Sequence, residues 1–315
     1  MLVLVAPGQG SQKPGLLTPW LELPGVADRL AQWSAAIDLD LVHYGTEADA
    51  DAIRDTAVAQ PLLVATSLLS AFELLEGEPS QDAPGKAAQV AAFAGHSVGE
   101  LTAAALTGVL TPLEALRVVR ARGKAMAEAA AVTETGMSAV LGGEPEAVTA
   151  HLAKLGLTPA NMNGAGQIVA AGTTEQLAAL AADKPEKARV LPLKVAGAFH
   201  TDHMAPALPA MEAAVRDVTP GTPLTRYLSN YDGQVVDSGA EVVRRLVRQI
   251  SAPVRWDLCM DTFQELGVTA LIELCPGGTL TGLAKRALPQ VERLALTSPD
   301  DLTAARELFA AHTSA

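Results

Sequence analysis

The chain has 315 residues, of which 49% are hydrophobic and 18% charged, enough for one large domain or a domain that carries a smaller one. This composition excludes disorder as the main state, and the formal net charge of −12 excludes general binding of nucleic acid through a basic face. The two cysteines, Cys259 and Cys275, lie in apolar stretches outside any CxxC or Cys/His cluster. We therefore expect neither a disulfide framework nor a structural zinc site, and a reducing compartment.

The N-terminal residues do not have the composition of a signal peptide. No basic residue precedes the apolar residues 2–6, and Pro7-Gly8 follows them directly. The longest apolar stretch, residues 61–75, contains hydroxyl side chains and a glutamate and is too short for a membrane span. These features predict a cytoplasmic protein that does not contact a membrane.

Apolar runs alternate with helical patterns along most of the chain. The runs predict buried strands, because each is continuous and ends near glycine or proline, and the helices have Leu and Ala at spacings of three and four residues. The predicted strands are residues 2–6, 90–94 and 268–274, and the predicted helices are residues 59–75, 100–106 and 112–131. Such alternation indicates an α/β domain with a mostly parallel sheet between two layers of helices.

The segment from about residue 136 to 195 has a different pattern. Its predicted strands are residues 137–141, 159–163, 167–171 and 188–195, and its predicted helices are residues 144–155 and 174–182. The order β-α-β-β-α-β is that of a ferredoxin-like subdomain. We therefore expect a small subdomain at 131–196, inserted into a discontinuous large catalytic domain at 1–130 and 197–315.

A G-x-S-x-G motif, Gly95-His96-Ser97-Val98-Gly99, lies between a predicted strand and a predicted helix. In this context the motif is typical of hydrolase-like α/β domains, which present a nucleophilic serine on a sharp strand-to-helix turn. Glycines are needed on both sides because side chains there would collide with neighbouring elements. The free N–H groups that begin the helix favour a developing oxyanion, so Ser97 is the candidate nucleophile.

A nucleophilic serine needs a base, and the chain has six histidines. Three lie in segments that predict surface positions: His43, His151 and His312. His96 adjoins Ser97, where neighbouring side chains diverge, so it is expected to line the pocket. His200 and His203 remain; spacing favours His200, which directly follows a turn of small residues, but leaves His203 open.

Two further features are ambiguous from the residues alone. The turn Gly8-Gln9-Gly10 fails as a dinucleotide fingerprint because Lys13 stands where the third glycine belongs. It is either an ordinary turn or a second source of N–H groups for an oxyanion. Arg122 lies in a basic stretch near the end of a predicted helix. From the composition of that stretch alone, it is expected to be a solvated surface arginine.

Several motifs, taken together, resemble one enzyme family. The stronger ones are Pro-Gly-Gln-Gly-Ser-Gln at 7–12, Gly-His-Ser-Val-Gly-Glu at 95–100, Arg-Gly-Lys at 122–124 and Ala-Phe-His at 198–200. The weaker ones are Asn161-Met-Asn163 with Gln167, Arg248-Gln249, Pro253-Val-Arg-Trp256, and Pro276-Gly with Leu280-Thr-Gly-Leu283. Over nearly its whole length the sequence resembles the malonyl-CoA:acyl-carrier-protein transacylases, which are related to the acyltransferase domains of polyketide and fatty-acid synthases.

The resemblance implies roles for the reacting groups. Ser97 corresponds to the nucleophile and His200 to the general base. The main-chain carbonyl of Gln249 corresponds to the group that orients the histidine, in place of a triad carboxylate, and fixes the tautomer that leaves Nε2 free. The backbone N–H groups of Gln9 and Val98 correspond to the oxyanion hole.

The resemblance also implies how the substrate is held. Arg122 corresponds to the arginine that grips the malonyl carboxylate as a bidentate pair. Phe199 occupies the position where phenylalanine accompanies malonyl selectivity and serine accompanies methylmalonyl selectivity. The other implied substrate contacts are Gln60 and Met126 in the acyl pocket and Asn161 and Asn163 near the pantetheine. The sequence departs from the family at Cys275 and at Thr201-Asp202-His203, which leaves the role of His203 open.

The resemblance implies a ping-pong transfer of malonyl from malonyl-CoA, through malonyl-Ser97, to the phosphopantetheine thiol of acyl carrier protein. No metal or redox cofactor is expected, since the thioester supplies the activation. Both partners are anionic, so a monomer of charge −12 is expected to use a local basic patch. The candidates are Arg244, Arg245, Arg248, Lys285, Arg286 and Lys194, although each cluster is equally well explained as a solvated helix face.

Three alternatives remain open from the sequence. A serine esterase or thioesterase shares the elbow and differs in accepting water. A non-catalytic carrier-protein binding module shares the fold. Finally, the same chemistry could supply malonyl groups to polyketide assembly as well as to fatty-acid synthesis.

Overall fold

The computed structural model describes residues 1–313, which form two β-sheets with helices packed around them. The strands are β1 (Leu2–Ala6), β2 (Ala92–Gly95), β3 (Thr135–Gly142), β4 (Thr158–Gly164), β5 (Gln167–Thr173), β6 (Ala188–Pro192), β7 (Arg226–Leu228), β8 (Val235–Val236), β9 (Val254–Arg255), β10 (Ala270–Glu273) and β11 (Glu292–Ala295). The α-helices are α1 (Val26–Ile37), α2 (Leu41–Thr46), α3 (Thr56–Leu75), α4 (Gly99–Leu106), α5 (Pro112–Ala130), α6 (Pro145–Lys154), α7 (Thr174–Ala182), α8 (Leu208–Val215), α9 (Gly239–Arg248), α10 (Trp256–Glu265), α11 (Thr279–Ala287) and α12 (Leu302–Thr313).

The larger sheet has the strand order β11-β10-β1-β2-β7-β8 and is parallel except for β8, which runs antiparallel to β7. In the register of β1, Val3 lies opposite Leu271 on one side and Ala92 on the other. All residues of β1 and β2 are buried, which explains why both sequences are continuously apolar. The mixed α/β class and the mostly parallel sheet are as predicted.

The second sheet has the order β6-β3-β5-β4-β9. Its first four strands are antiparallel, and with α6 and α7 they follow the chain order expected for residues 136–195. Two details differ from the sequence prediction. The strand β6 ends at Pro192 rather than at residue 195, and β9, which lies outside the proposed insert, adds parallel to β4. The domain boundaries stay a prediction.

The helix α3 is longer than the sequence predicted. It begins at Thr56, after Asp55 accepts a hydrogen bond from the Ala57 N–H, and continues for 20 residues. By length and composition alone it could cross a membrane, so the expectation that this stretch is too short was wrong. The most apolar part of α3 is 94% buried inside the protein, and the helix packs against α4 and α5. Packing in the protein core thus accounts for its composition.

The helix α5 brings a basic side chain into this core. Thr111 and Glu114 form a capping box at its N-terminus. A Cβ added at Gly123 would lie 2.8 Å from the Thr56 carbonyl oxygen, so this glycine allows α5 to approach α3 closely. Arg122, the residue before it, is therefore enclosed by the protein rather than exposed to solvent.

Candidate active site

The strand β2 leads into α4 through a sharp turn that carries Ser97. Ser97 has φ of +53°, in the left-handed region that a serine rarely adopts. A Cβ on Gly95 would overlap the backbone of Gly99, and a Cβ on Gly99 would overlap the carbonyl of Ala6 at the end of β1. Both glycines of the motif are therefore required by the close approach of the turn to its neighbours, for the reason predicted from the sequence.

His200 lies directly against the serine. The Ser97 Oγ and the His200 Nε2 are 2.7 Å apart, and the His200 Nδ1 is 2.8 Å from the main-chain carbonyl oxygen of Gln249. Since a carbonyl only accepts, Nδ1 carries the proton and Nε2 is free to accept one from Ser97. Burial, together with the positive charge of Arg122, lowers the pKa of His200 to about 3, so the ring is neutral at neutral pH. His203 is the second residue of a short 3-10 helix, Asp202–Ala207, and does not line the cavity around Ser97 and His200.

Gln9, after β1, and Val98, directly before α4, both line the cavity beside Ser97. Within residues 1–313 neither backbone N–H has a hydrogen-bond partner. A Cβ on Gly8 would lie 2.8 Å from the His96 Nδ1, so a glycine there lets the Gln9 turn approach the elbow. These two donors have the character of an oxyanion hole.

Arg122 is 1% exposed, and its guanidinium reaches Ser97. Its Nη1 donates to the Gln60 Oε1 at 2.5 Å, and its Nη2 donates to the Gln249 Oε1 at 2.7 Å and to the Ser97 Oγ at 3.4 Å. Burial lowers the pKa of Arg122 to about 10, which leaves it a cation at neutral pH. Among the described residues no carboxylate forms an ion pair with Arg122. The composition-based prediction of a surface arginine was therefore wrong.

Sequence reasoning missed a polar network beneath the elbow. The Glu100 Oε1 accepts from the Asn230 N–H and its Oε2 accepts from the Gln249 Nε2, both at 2.5 Å. The Asn230 Nδ2 donates to the Gly95 carbonyl at 2.7 Å, and the Gln249 Nε2 also donates to the Ser97 carbonyl at 2.9 Å. Burial raises the pKa of Glu100 to about 7. The one available signal was the position of Glu100 directly after the motif, where an acidic residue at a helix start is ordinary.

The remaining predicted residues surround one cavity of about 260 Å³ between the two sheets. Those that line it are Gln60, His96, Met126, Asn161, Asn163 and Phe199. The His96 Nε2 lies 2.8 Å from the Asn163 Oδ1, and the Asn163 Nδ2 donates to the Gln167 Oε1 at 2.9 Å. Burial lowers the pKa of His96, so this ring too is neutral. The contacts tie the elbow to the β4–β5 hairpin of the second sheet.

The six candidates for a basic patch differ in how freely they present charge. Arg244 and Arg245 both form ion pairs with Glu241, and Arg245 also pairs with Asp232 at 2.6 Å. The guanidinium of Arg248 lies 4.4 Å from the centre of the Tyr231 ring. The other three, Lys194, Lys285 and Arg286, are exposed. Two of the six are therefore compensated by carboxylates of their own chain. In residues 1–313 no group of three acidic, histidine or cysteine side chains is placed to hold a metal ion.

A serine–histidine pair at the carboxyl ends of a mostly parallel sheet, with two free N–H donors beside it, defines a serine enzyme that acts on acyl groups. Comparison with known proteins gives the family. The model of the acyl transferase domain family matches residues 3–304, and this chain belongs to that family.

Relatives and solved structures place the chain close to one group within the family. The malonyl CoA-acyl carrier protein transacylase of Mycobacterium tuberculosis is 51% identical over 302 residues, which cover 96% of this chain and 98% of the relative. The crystal structure of MCAT from Mycobacterium tuberculosis superposes with a TM-score of 0.90 at 50% identity, covering 97% of this chain and 99% of that one. A malonyl-transacylase solved in complex with a type II PKS acyl-carrier protein superposes with a TM-score of 0.86 at 30% identity, covering 98% and 99%. The resemblance found in the sequence is confirmed.

Proposed function

We propose that this protein transfers the malonyl group from malonyl-CoA to the phosphopantetheine thiol of acyl carrier protein, by a ping-pong reaction through malonyl-Ser97. The observation that carries the proposal is Arg122. It is a buried guanidinium that touches the nucleophile, and its partners in the protein are neutral amides. A buried cation with no carboxylate in direct contact is costly, and a substrate carboxylate would supply that contact. The names of its relatives support the same substrate and acceptor.

In the first half-reaction, the free carboxylate of malonyl-CoA binds Arg122 and the thioester carbonyl lies against the Gln9 and Val98 N–H groups. The Ser97 Oγ attacks the carbonyl carbon while the His200 Nε2 takes its proton. The tetrahedral oxyanion is stabilised by the two N–H donors. When it collapses, the C–S bond breaks, and the CoA thiol leaves with the proton from His200.

In the second half-reaction, the carrier's phosphopantetheine thiol gives its proton to the His200 Nε2 and attacks the malonyl ester. Collapse of the second tetrahedral species breaks the bond to Ser97, whose Oγ recovers the proton. The carbonyl of Gln249 stabilises the imidazolium at Nδ1, although less than a carboxylate would, since it is neutral. No step needs a metal or a redox cofactor, because the thioester is already activated.

Further parts of the proposal concern selectivity and setting. The Phe199 ring lines the cavity beside His200, where it would crowd an α-methyl group; one methyl is worth roughly 1–3 kcal/mol. We also propose a cytoplasmic monomer that supplies type II fatty-acid synthesis, with polyketide assembly as a second consumer. Its architecture would be a hydrolase-like large domain with an inserted ferredoxin-like subdomain, which the strand order β6-β3-β5-β4 supports.

The test is intact-protein mass spectrometry after brief mixing with malonyl-CoA, followed by a chase with holo acyl carrier protein. We expect a malonyl adduct on the wild type, none on Ser97→Ala, and transfer of the adduct to the carrier. An adduct that decays to free malonate at the same rate with or without carrier would indicate a hydrolase. If no adduct forms, a binding module becomes the better account.

A further inference from the structure

Gln249 contributes more to the site than its main-chain carbonyl. Its side-chain Oε1 accepts from the Arg122 Nη2, while its Nε2 lies against three acceptors: the Ser97 carbonyl at 2.9 Å, the Glu100 Oε2 at 2.5 Å and the Asn230 Oδ1 at 3.4 Å. The reverse orientation would set the amide oxygen against three oxygens and the NH₂ group against a guanidinium. The surroundings therefore fix the amide in one orientation.

Glu100 is the charged member of this set, and it is fully enclosed. It is 1% exposed, and its carboxylate oxygens accept hydrogen bonds from the Asn230 N–H on one side and the Gln249 Nε2 on the other. Glu100 does not form an ion pair with Arg122; the Gln249 amide stands between the two charges. Because of this spacing, Glu100 can orient the amide without occupying the place of a substrate carboxylate.

We propose that Glu100 is a positioning residue for the malonyl carboxylate: it holds the Gln249 amide so that its oxygen faces Arg122 and fixes the guanidinium beside Ser97. The inference rests on the proposed function, since it concerns how Arg122 receives a carboxylate. It assigns to Glu100 a part in acyl selectivity, exerted through one amide and without contact with the substrate.

The effect of Glu100→Gln follows from counting acceptors. A carboxylate accepts at both oxygens, whereas an amide accepts at one and donates at the other position. Either the Asn230 N–H or the Gln249 Nε2 then meets a donor. Asn230 is also held by its carbonyl, which accepts from the Arg255 N–H at 2.6 Å, so the side chain of Gln249 is the part that moves. Arg122 thereby loses its Gln249 partner and keeps Gln60.

The experiment compares single-turnover acylation of Ser97 by malonyl-CoA and by acetyl-CoA, which has no free carboxylate. We expect Glu100→Gln to lower the malonyl:acetyl rate ratio roughly tenfold or more, the size expected for loss of a charge-assisted hydrogen bond. Glu128→Gln, an exposed position on the same helix as Arg122, should leave the ratio unchanged. A merely structural role of Glu100 would lower both rates together, and an unchanged ratio would overturn the proposal.

A second variant tests the route through Gln249 even if Glu100→Gln folds poorly. Gln249→Met keeps the main-chain carbonyl that orients His200 and removes the amide, so it should lower the ratio to a similar extent. In the double variant, which combines Glu100→Gln with Gln249→Met, the two reductions of the malonyl:acetyl ratio should not multiply. Multiplied effects, or a wild-type ratio in Gln249→Met, would mean that Glu100 does not act through this amide.

The pH dependence of the wild type gives an independent measurement. Burial raises the pKa of Glu100 to about 7, so the carboxylate gains a proton as the pH falls below that value. Arg122 is the charged group that acts on Glu100, and the Glu100 carboxylate in turn helps to raise the pKa of Tyr227 and that of Cys259, both of which are buried and neutral. We expect the malonyl:acetyl ratio to fall below about pH 7 in the wild type and to be flat in Glu100→Gln. A flat wild-type ratio would count against the proposal. Failure of the wild type to form any malonyl adduct would instead refute the proposed function.

Discussion

The two residues proposed to react are both held in a backbone conformation unfavourable for their type. Ser97 and His200 have φ of +53° and +62°, and such conformations cost on the order of 1–2 kcal/mol each for residues with a Cβ. Contacts on every side compensate for this. The glycines at 95 and 99 fix the serine, and the Gln249 carbonyl and the Ser97 hydroxyl fix the histidine ring. Two of the six non-glycine residues with positive φ among residues 1–313 are therefore the serine and histidine that meet in the cavity.

A single substitution at Arg122 should affect malonyl transfer and acetyl transfer differently. Arg122→Ala removes the guanidinium that would bind the malonyl carboxylate, so malonyl acylation of Ser97 should fall about 100-fold or more. Acetyl transfer should be spared or raised, because no carboxylate has to be bound and the cavity is larger. The measurement is the rate of adduct formation with each acyl-CoA.

Arg122→Lys provides the matched control for this prediction. Lysine keeps the charge but not the planar fork, so it cannot satisfy Gln60, Gln249 and a substrate carboxylate together. We expect an intermediate malonyl rate. Equal losses of malonyl and acetyl transfer in both variants would remove the carboxylate-binding role from Arg122.

At this scale the sequence predicted which side chains meet at Ser97 better than it predicted the residues that support them. The spacing of Ser97 within the motif fixes its structural setting, and family resemblance supplied His200 and Arg122, which the residues alone left open or assigned wrongly. Glu100 and Asn230 were not predicted. A glutamate in the first turn of a helix and an asparagine after a short strand are ordinary, and only the folded chain reveals that both are buried.

Among the elements, the contact between α4 and the end of β1 controls the position of the nucleophile. A methyl group on Gly99 would overlap the Ala6 carbonyl, so Gly99→Ala should push α4 away from the sheet. We expect it to cost about 1–3 kcal/mol of unfolding free energy and to slow acylation. Gly282→Ala in α11 is the control. Nothing lies within 4 Å of a Cβ there, and alanine should stabilise the helix by about 0.5–1 kcal/mol. Urea unfolding of both variants decides, and similar effects would contradict the overlap argument.

Element prediction succeeded where a pattern is long and local. The helix at Thr174–Ala182 and the order of elements in the second sheet follow from periodicity and turn residues. The strand β9 was missed because two residues, Val254 and Arg255, carry no periodicity and pair only with the distant β4. The start of α3 was placed three residues late because the N-cap signal, Asp55 directly before Thr56, was not used.

At the scale of the whole molecule, the proposed transfer requires an acidic protein to bind an acidic carrier, and we expect a few exposed cations to provide the attraction. Arg286 is exposed near the C-terminal end of α11, whose first residues line the cavity, whereas Arg244 pairs with Glu241. Arg286→Glu should therefore raise the KM for acyl carrier protein several-fold at low salt and change the rate of malonyl acylation less. Arg244→Glu is the matched charge reversal and should have less effect. A larger effect at Arg244 would move the carrier site to α9.

The buried side chains of His200 and Glu100 should have opposite effects on how the free energy of unfolding changes with pH. For His200 the folded pKa is about 3, below the usual 6.5, so its contribution is present above pH 6.5 and is lost as the pH falls. For Glu100 the folded pKa is about 7, above the usual 4.5, so its contribution is present below pH 4.5 and is lost as the pH rises through 7. Between about pH 4.5 and 6.5 the folded protein binds one proton less at the histidine and one more at the glutamate, and the two contributions cancel.

Glu100→Gln removes the pH-dependent contribution of Glu100 and leaves that of His200. The difference in unfolding free energy, variant minus wild type, should increase by about 1.4 kcal/mol per pH unit between pH 5 and 6.5, because only the wild type loses the Glu100 contribution as the pH rises. His200→Gln should give the opposite slope, and the double variant should give none. Urea unfolding at three pH values measures all three, and groups elsewhere cancel in the differences. A difference for Glu100→Gln that does not change with pH would mean that Glu100 keeps its ordinary pKa despite complete burial.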